Sequence, residues 1–153
     1  MERESMSVDV IGIDHIYIAV SNLEKSEEFY DGVMMTVLDF KKTYSNIEND
    51  LHVHYYNRHY SFTLRPARNL EQKHDPYSPG LNHFCFRVDS NNDVDEVAKG
   101  LKELNIKFDT PRFYPEYNPD YYAVFFKDPD GVRLEVTNFR KTRRDRFNNW
   151  PND

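Results

Sequence analysis

Two eight-residue segments constrain what this chain can fold into more than any other feature. Ile13-Asp14-His15-Ile16-Tyr17-Ile18-Ala19-Val20 and Leu81-Asn82-His83-Phe84-Cys85-Phe86-Arg87-Val88 share one layout, a histidine third in each, and the two histidines are 68 residues apart. β-Branched and aromatic residues dominate both, each has the length of one strand, and each runs at once into polar residues that can open a helix. A chain that repeats itself in this way is expected to repeat a supersecondary unit, and both copies read as strand, turn, helix.

After the first strand, Ser21 with Glu24 three residues on has the form of a capping box, and Leu23, Ser26, Tyr30, Val33 and Met34 recur at helical spacing. This predicts a helix ending near Met35. After the second strand, Asn91 or Asn92 can cap a helix whose Val94, Val97, Ala98, Leu101 and Leu104 form a cleaner apolar stripe, ending near Asn105. Three strand-like runs follow each helix, near 37–44, 51–57 and 60–65 in the first half and near 106–110, 120–127 and 132–138 in the second. The pattern is βαβββ twice. The expected plan is an N-terminal extension over 1–10, a first module over 11–66, a Pro-rich polar linker over 67–79, a second module over 80–138 and a basic tail over 139–153.

At 153 residues the chain has the length of one ordinary domain. Its 11 Tyr and 11 Phe call for an unusually aromatic core or cleft. The net charge of -6 argues against general nucleic-acid binding, which needs a cationic surface to displace counterions, so a small molecule is the expected partner. Cys85 is the one cysteine, which excludes a disulfide within the chain and a Cys cluster for zinc, and favours a reducing cytoplasm. The stretch Met1–Asp9 lacks the apolar core of a signal peptide and no run approaches a membrane span, so a cytoplasmic protein without membrane attachment is expected.

Side chains alternate faces along a strand, so His15 shares a face with Tyr17 and Ala19, and His83 with Cys85 and Arg87. If the modules pair about a pseudo-twofold axis, the two histidines converge. Glu135 stands among apolar neighbours in Val132-Arg133-Leu134-Glu135-Val136-Thr137, where an unpaired carboxylate is costly to bury and needs a cation. Taken singly, a strand histidine is more often a hydrogen-bonded core residue, and Glu135 could pair with Arg133 or Arg87. Taken together, matching histidines and a carboxylate on the closing strand predict one divalent ion (Mn, Fe, Ni or Zn) held by His15, His83 and Glu135, with coordination positions left for water, substrate or dioxygen.

In Ile13–Tyr30, Leu81–Val88 and Phe125–Val136 the chain resembles the vicinal oxygen chelate superfamily of glyoxalases, bleomycin resistance proteins and extradiol dioxygenases. Part of that resemblance is Asp128-Pro129-Asp130-Gly131 with Glu135 beyond it, a tight hairpin in which Pro presets φ and Gly accepts positive φ. The resemblance implies an α+β fold of two βαβββ modules forming a cupped, mostly antiparallel sheet, with metal ligands on first and last strands. It also implies pairing of modules within a chain or by exchange across a homodimer, the latter being the expected state. One departure is informative: symmetry asks for a fourth ligand near Thr63, and threonine is a poor one. The remaining His, His, Glu set resembles the extradiol dioxygenases and fosfomycin-modifying members more than glyoxalase proper.

Around this set, strand parity puts Tyr121, Ala123 and Phe125 on one face beside Glu135, making Tyr121 the first choice for a donor to bound substrate. Tyr17 and Ser61 are expected to line the pocket, and Arg65 and Arg144 to supply positive charge. His52, His54 and His59 fall around a turn, where an exposed hairpin tip is the plainer reading; His54 is the candidate for proton transfer. Cys85 reads as a small buried hydrophobe. The function implied is that of a divalent-metal-dependent enzyme acting on a small oxygen-chelating substrate, by lyase or isomerase or dioxygenase chemistry. The alternatives are a bleomycin-resistance-type binding protein without catalysis and a fosfomycin-modifying-like transferase.

Overall fold

The computed structural model describes residues 7–151. In chain order the elements are β1 (His15–Val20), α1 (Leu23–Tyr30), a π-helical segment (Asp31–Val37), β2 (Lys41–Ile47), β3 (Asp50–Tyr56) and β4 (Ser61–Pro66). They continue as β5 (His83–Val88), α2 (Asn91–Glu103), β6 (Phe108–Phe113), β7 (Tyr122–Lys127), β8 (Arg133–Asn138) and α3 (Lys141–Asn148). The repeated βαβββ unit is present. Each unit forms its own four-stranded sheet, ordered β1-β4-β3-β2 and β5-β8-β7-β6. In both, the first strand pairs parallel with the last and the other pairings are antiparallel. This is the α+β glyoxalase/dioxygenase-like fold the sequence led us to expect.

Local details differ from the sequence reading for identifiable reasons. Asn22, not Ser21, caps α1, its side chain accepting from the Lys25 N–H at 3.0 Å. Ser21 is drawn elsewhere: its N–H and hydroxyl both donate to Asp130 in the second module. In α2 the cap is Ser90, which completes a capping box with Asp93 and displaces Asn91 and Asn92 into the first turn. The first helix does not stop near Met35 but runs on through the π-helical segment, so β2 starts only at Lys41.

The core joins the modules. Ile18, Phe62 and Leu64 from the first sheet and Phe86, Leu134 and Val136 from the second are all buried in one cluster with residues of both helices. The Phe62 ring lies 5.4 Å from that of Phe84 and 6.2 Å from that of Phe86. Tyr30 donates to the buried Asp128 at 2.8 Å, so the Asp-Pro-Asp-Gly hairpin is tied to the first module at Asp128 and again at Asp130. Burying Asp128 raises its pKa from the ordinary aspartate value. Because even-numbered residues of β1 and β5 enter the shared core, the odd-numbered ones, His15 and His83 included, lie on the faces turned away from it. The convergence of the two histidines expected from pseudo-symmetry therefore does not occur within one chain.

Candidate metal centre

His83 opens β5, directly opposite Arg133 of β8, and Cys85 stands opposite Glu135. The His83 Nδ1 lies 2.7 Å from Asn82 Oδ1, and the Asn82 amide is oriented by donation of its Nδ2 to the Pro76 carbonyl at 2.8 Å. Oδ1 is thus the acceptor and Nδ1–H the donor, which leaves Nε2 carrying the lone pair of the neutral ring. That Nε2 faces Glu135 Oε2 at 3.3 Å. Glu135 is only 2% exposed, and its other oxygen accepts from the Tyr121 hydroxyl. The His83 ring is 42% exposed, but the carboxylate it faces is buried, and two acceptors so opposed require a proton or a cation between them. Donors each about 2.1 Å from one ion, at angles between square and tetrahedral, stand about 3.0–3.4 Å apart, so the pair fits a metal.

His15 repeats half of this arrangement on the other sheet. Its Nδ1 is held by Asp14 Oδ2 at 2.7 Å, again freeing Nε2, and its ring meets Tyr17 edge-on at 5.7 Å. In each module the residue before the histidine orients the imidazole, a role typical of the groups behind a metal ligand. The signal is present in the sequence as Asp14-His15 and Asn82-His83, a polar side chain directly before each histidine. Among the described residues no three His, Cys, Asp or Glu side chains gather as a metal site would require, because His15 stands on a different sheet from His83 and Glu135.

The polar face beside His15 is more buried than expected. Tyr17, Thr63, His54 and Thr43 form one row across the sheet. His54 Nδ1 lies 2.8 Å from Thr63 Oγ1 and its Nε2 lies 2.6 Å from Ser45 Oγ, so both ring nitrogens are engaged. Burial, and then the charge of nearby His52, lower the His54 pKa. His52 and His54 belong to the middle of β3, not to a hairpin tip, and His52 is 3% exposed. The His52 Nδ1 lies 3.2 Å from the Tyr17 hydroxyl, while its Nε2 has no hydrogen-bond partner among the described residues. Ser61 sits opposite His15, and Arg65 is committed to Asp50 at 2.7 Å.

In the second module Phe125 stands opposite Glu135 and meets Tyr114 edge-on. Tyr121 lies just before β7 with Arg140 over its ring at 4.7 Å. Burial and the bond to Glu135 push its phenol above the ordinary tyrosine pKa. Cys85 is exposed on the His83 face, contrary to the buried role read from sequence. Desolvation of the thiol, and then the charge of Glu135, nevertheless raise its pKa. Arg144, on α3, donates to the Asp89 carbonyl at 2.8 Å and lies over the Phe139 ring at 5.3 Å.

A fold of paired βαβββ units with an exposed His against a buried Glu on one sheet and a matching His on the other defines a class, and comparison agrees. The Glyoxalase/Bleomycin resistance protein/Dioxygenase superfamily model matches residues 12–136, and the chain belongs to that family. It is 29% identical over 129 residues to YaeR of Escherichia coli (strain K12), covering 81% of this chain and 93% of that protein. It is 26% identical over 125 residues to the metallothiol transferase FosB of Staphylococcus haemolyticus, covering 82% and 81%. Among solved structures, a glyoxylase/bleomycin resistance protein/dioxygenase domain from Frankia superposes with a TM-score of 0.71 at 23% identity, covering 86% of this chain and all of that one. A fosfomycin resistance protein FosX variant from Listeria monocytogenes, complexed with Mn(II) and a dihydroxypropylphosphonic acid, gives 0.65 at 16% identity, covering 89% and 98%.

Proposed function

We propose that the protein is a divalent-metal-dependent enzyme acting on a small substrate that offers two neighbouring oxygens, and that its centre is shared between two copies of the chain. His15 of one copy and His83 with Glu135 of a second would hold the ion. The observation that carries this reading is the opposition of His83 Nε2 and Glu135 Oε2 at 3.3 Å, with Nδ1 committed to Asn82. The matching orientation of His15 by Asp14, on a face turned away from its own chain's His83, supports a centre completed from outside. Such sharing makes the protein a homodimer in its working form.

When bound, the ion supplies Lewis acidity to the substrate oxygens. The chain's own residues do the rest. Glu135 lends negative charge, Tyr121 holds that carboxylate in place, and Tyr114 and Phe125 offer an aromatic wall beside it. This chemistry suits a lyase, an isomerase, a dioxygenase or a transferase that adds a nucleophile to an epoxide. The relatedness to a metallothiol transferase favours including the last. A binder that merely sequesters a drug has no use for an imidazole nitrogen opposed to a buried carboxylate.

Metal analysis and subunit mixing test the reading together. The parent should carry about one ion per chain, and His15→Ala and Glu135→Ala should each lose it. A heterodimer purified with one tag on each of these two variants retains one intact set of ligands and should recover one ion per dimer. Retention of metal by both variants would refute the ligand set, and an empty heterodimer would refute the sharing. A screen of α-hydroxycarbonyls, catechols, and epoxide antibiotics with and without thiols, each with Mn, Fe(II), Ni or Zn, then identifies the reaction; no turnover of any class would favour a binding protein.

A further inference from the structure

A cavity of about 630 Å³ lies at the seam between the two modules, and it borders the proposed metal-ligand face at Phe125 and Arg133, which stand opposite Glu135 and His83. Unlike the proposed metal centre, its walls come from one chain alone. Lys25 and Phe29 of α1 supply one side, and the stretch Asn105–Asp109, the β7 end with Pro129 and Arg133 of β8 supply the other. The volume lies within the range of small-molecule sites, about 300–1,000 Å³.

Its chemistry is divided. Phe29, Ile106, Phe108 and Phe125 are each half-buried there, and Phe126 is buried, so the floor is apolar and mainly aromatic. Lys25, Lys107, Lys127 and Arg133 reach the cavity from four different segments, and among the described residues none of them has a carboxylate partner; Arg133 lies over the Phe125 ring at 5.8 Å. Two acids share the lining. Asp128 is already occupied, accepting from Tyr30, from the Asp130 N–H and from the Val132 N–H, which leaves Asp109 as the exposed counter-charge. In a chain of net charge -6, a local excess of cations over an aromatic floor is a directional feature.

We propose that this cavity binds a small organic anion, a carboxylate, sulfonate or phosphate ester joined to a planar or branched apolar body. The apolar body lies on the phenylalanine floor while the anionic group is held at the rim by the lysines and Arg133, whose guanidinium can pair with two oxygens. Since α1 belongs to the first module and every other wall to the second, an occupant bridges the two, beside the Tyr30–Asp128 and Ser21–Asp130 ties. Binding needs neither metal nor a second copy.

Titration of the full-length, metal-free protein with anilinonaphthalene sulfonate, followed by fluorescence and calorimetry, tests this. One dye should bind per chain, more weakly as salt rises, and the neutral analogue phenylnaphthylamine should bind at least about tenfold more weakly. Inorganic phosphate, having no apolar body, should show no saturable binding at millimolar concentration. The double variant Lys107→Glu, Lys127→Glu changes only exposed side chains and should weaken the dye at least about tenfold while its metal content stays that of the parent. Lys25→Glu, on the other module, should weaken it independently. Equal binding of the neutral analogue, several dyes per chain, or unchanged affinity in both charge-reversed variants would overturn the proposal. Loss of metal binding in His15→Ala leaves the dye result untouched, which separates this site from the metal centre.

Discussion

Thr63 and Glu135 occupy the same place in their two sheets: Thr63 stands opposite Tyr17, two residues after His15, and Glu135 stands opposite Cys85, two residues after His83. The internal repeat therefore carries a ligand position twice, and only the second copy has a carboxylate in it. The Thr63 hydroxyl is turned to His54 instead. Thr63→Val is expected to keep the full metal content and to lower stability by about 1–3 kcal/mol, because it leaves a His54 nitrogen unpaired. Glu135→Gln is expected to lose metal. Urea unfolding and elemental analysis on the two variants check this, and metal loss in Thr63→Val would show that the threonine is a ligand after all.

Tyr121 acts on Glu135 before it can act on any substrate, since its hydroxyl is donated to that carboxylate. Tyr121→Phe removes the bond and should weaken metal affinity by about 10–100-fold, the usual cost of losing a group that orients a ligand. Circular dichroism should be unchanged. A competition titration with a coloured chelator measures the affinity, and parent-like binding would return Tyr121 to the role of a substrate donor, tested by turnover.

Gly32 and Gly100 lie the same 68 residues apart as the two histidines, and each faces a side chain of the other module's helical segment. A Cβ on Gly100 would stand 2.9 Å from Val37 Cγ2 and 3.2 Å from its Cγ1, against a β-branched side chain with little freedom to move. On Gly32 it would meet the mobile tip of Leu104 at 2.9 Å. Gly100→Ala should therefore destabilise by about 1 kcal/mol, the overpacking cost outweighing the gain in helix propensity. Gly32→Ala should be closer to neutral. Equal midpoints in denaturant for the two variants would contradict this difference.

His54 should titrate below its ordinary value of 6.5, because burial and then His52 disfavour its charged form. As pH falls below 6.5 the unfolded chain takes up a proton that the folded chain refuses. The stability contributed by a neutral His54 is thus complete above that value and is lost as pH falls through the lowered folded pKa. Ring-proton shifts followed by NMR report the titration directly, and His52→Asn should move it upward. A midpoint at or above 6.5 in the parent would remove His54's burial as the controlling effect.

The repeat, the succession of its elements along the chain and the hairpin at Asp128–Gly131 were legible in the sequence, because strand length, residue type and turn chemistry are local properties. So were the three candidate ligands, since a histidine at the same place in two like strands and a carboxylate among apolar neighbours stand out one residue at a time. Which faces those residues share was decided by packing. Phe62, Phe84 and Phe86 bring the apolar sides of both sheets into one core, and that choice turns His15 and His83 outward on separate sheets, a consequence no local pattern contains. The same holds for Ser21, lost from its helix cap to Asp130 across the seam, and for His52, buried in mid-strand where its composition suggested a turn. Alternation along a strand tells which residues lie together on a face, but only the contacts between distant segments determine what that face is turned toward.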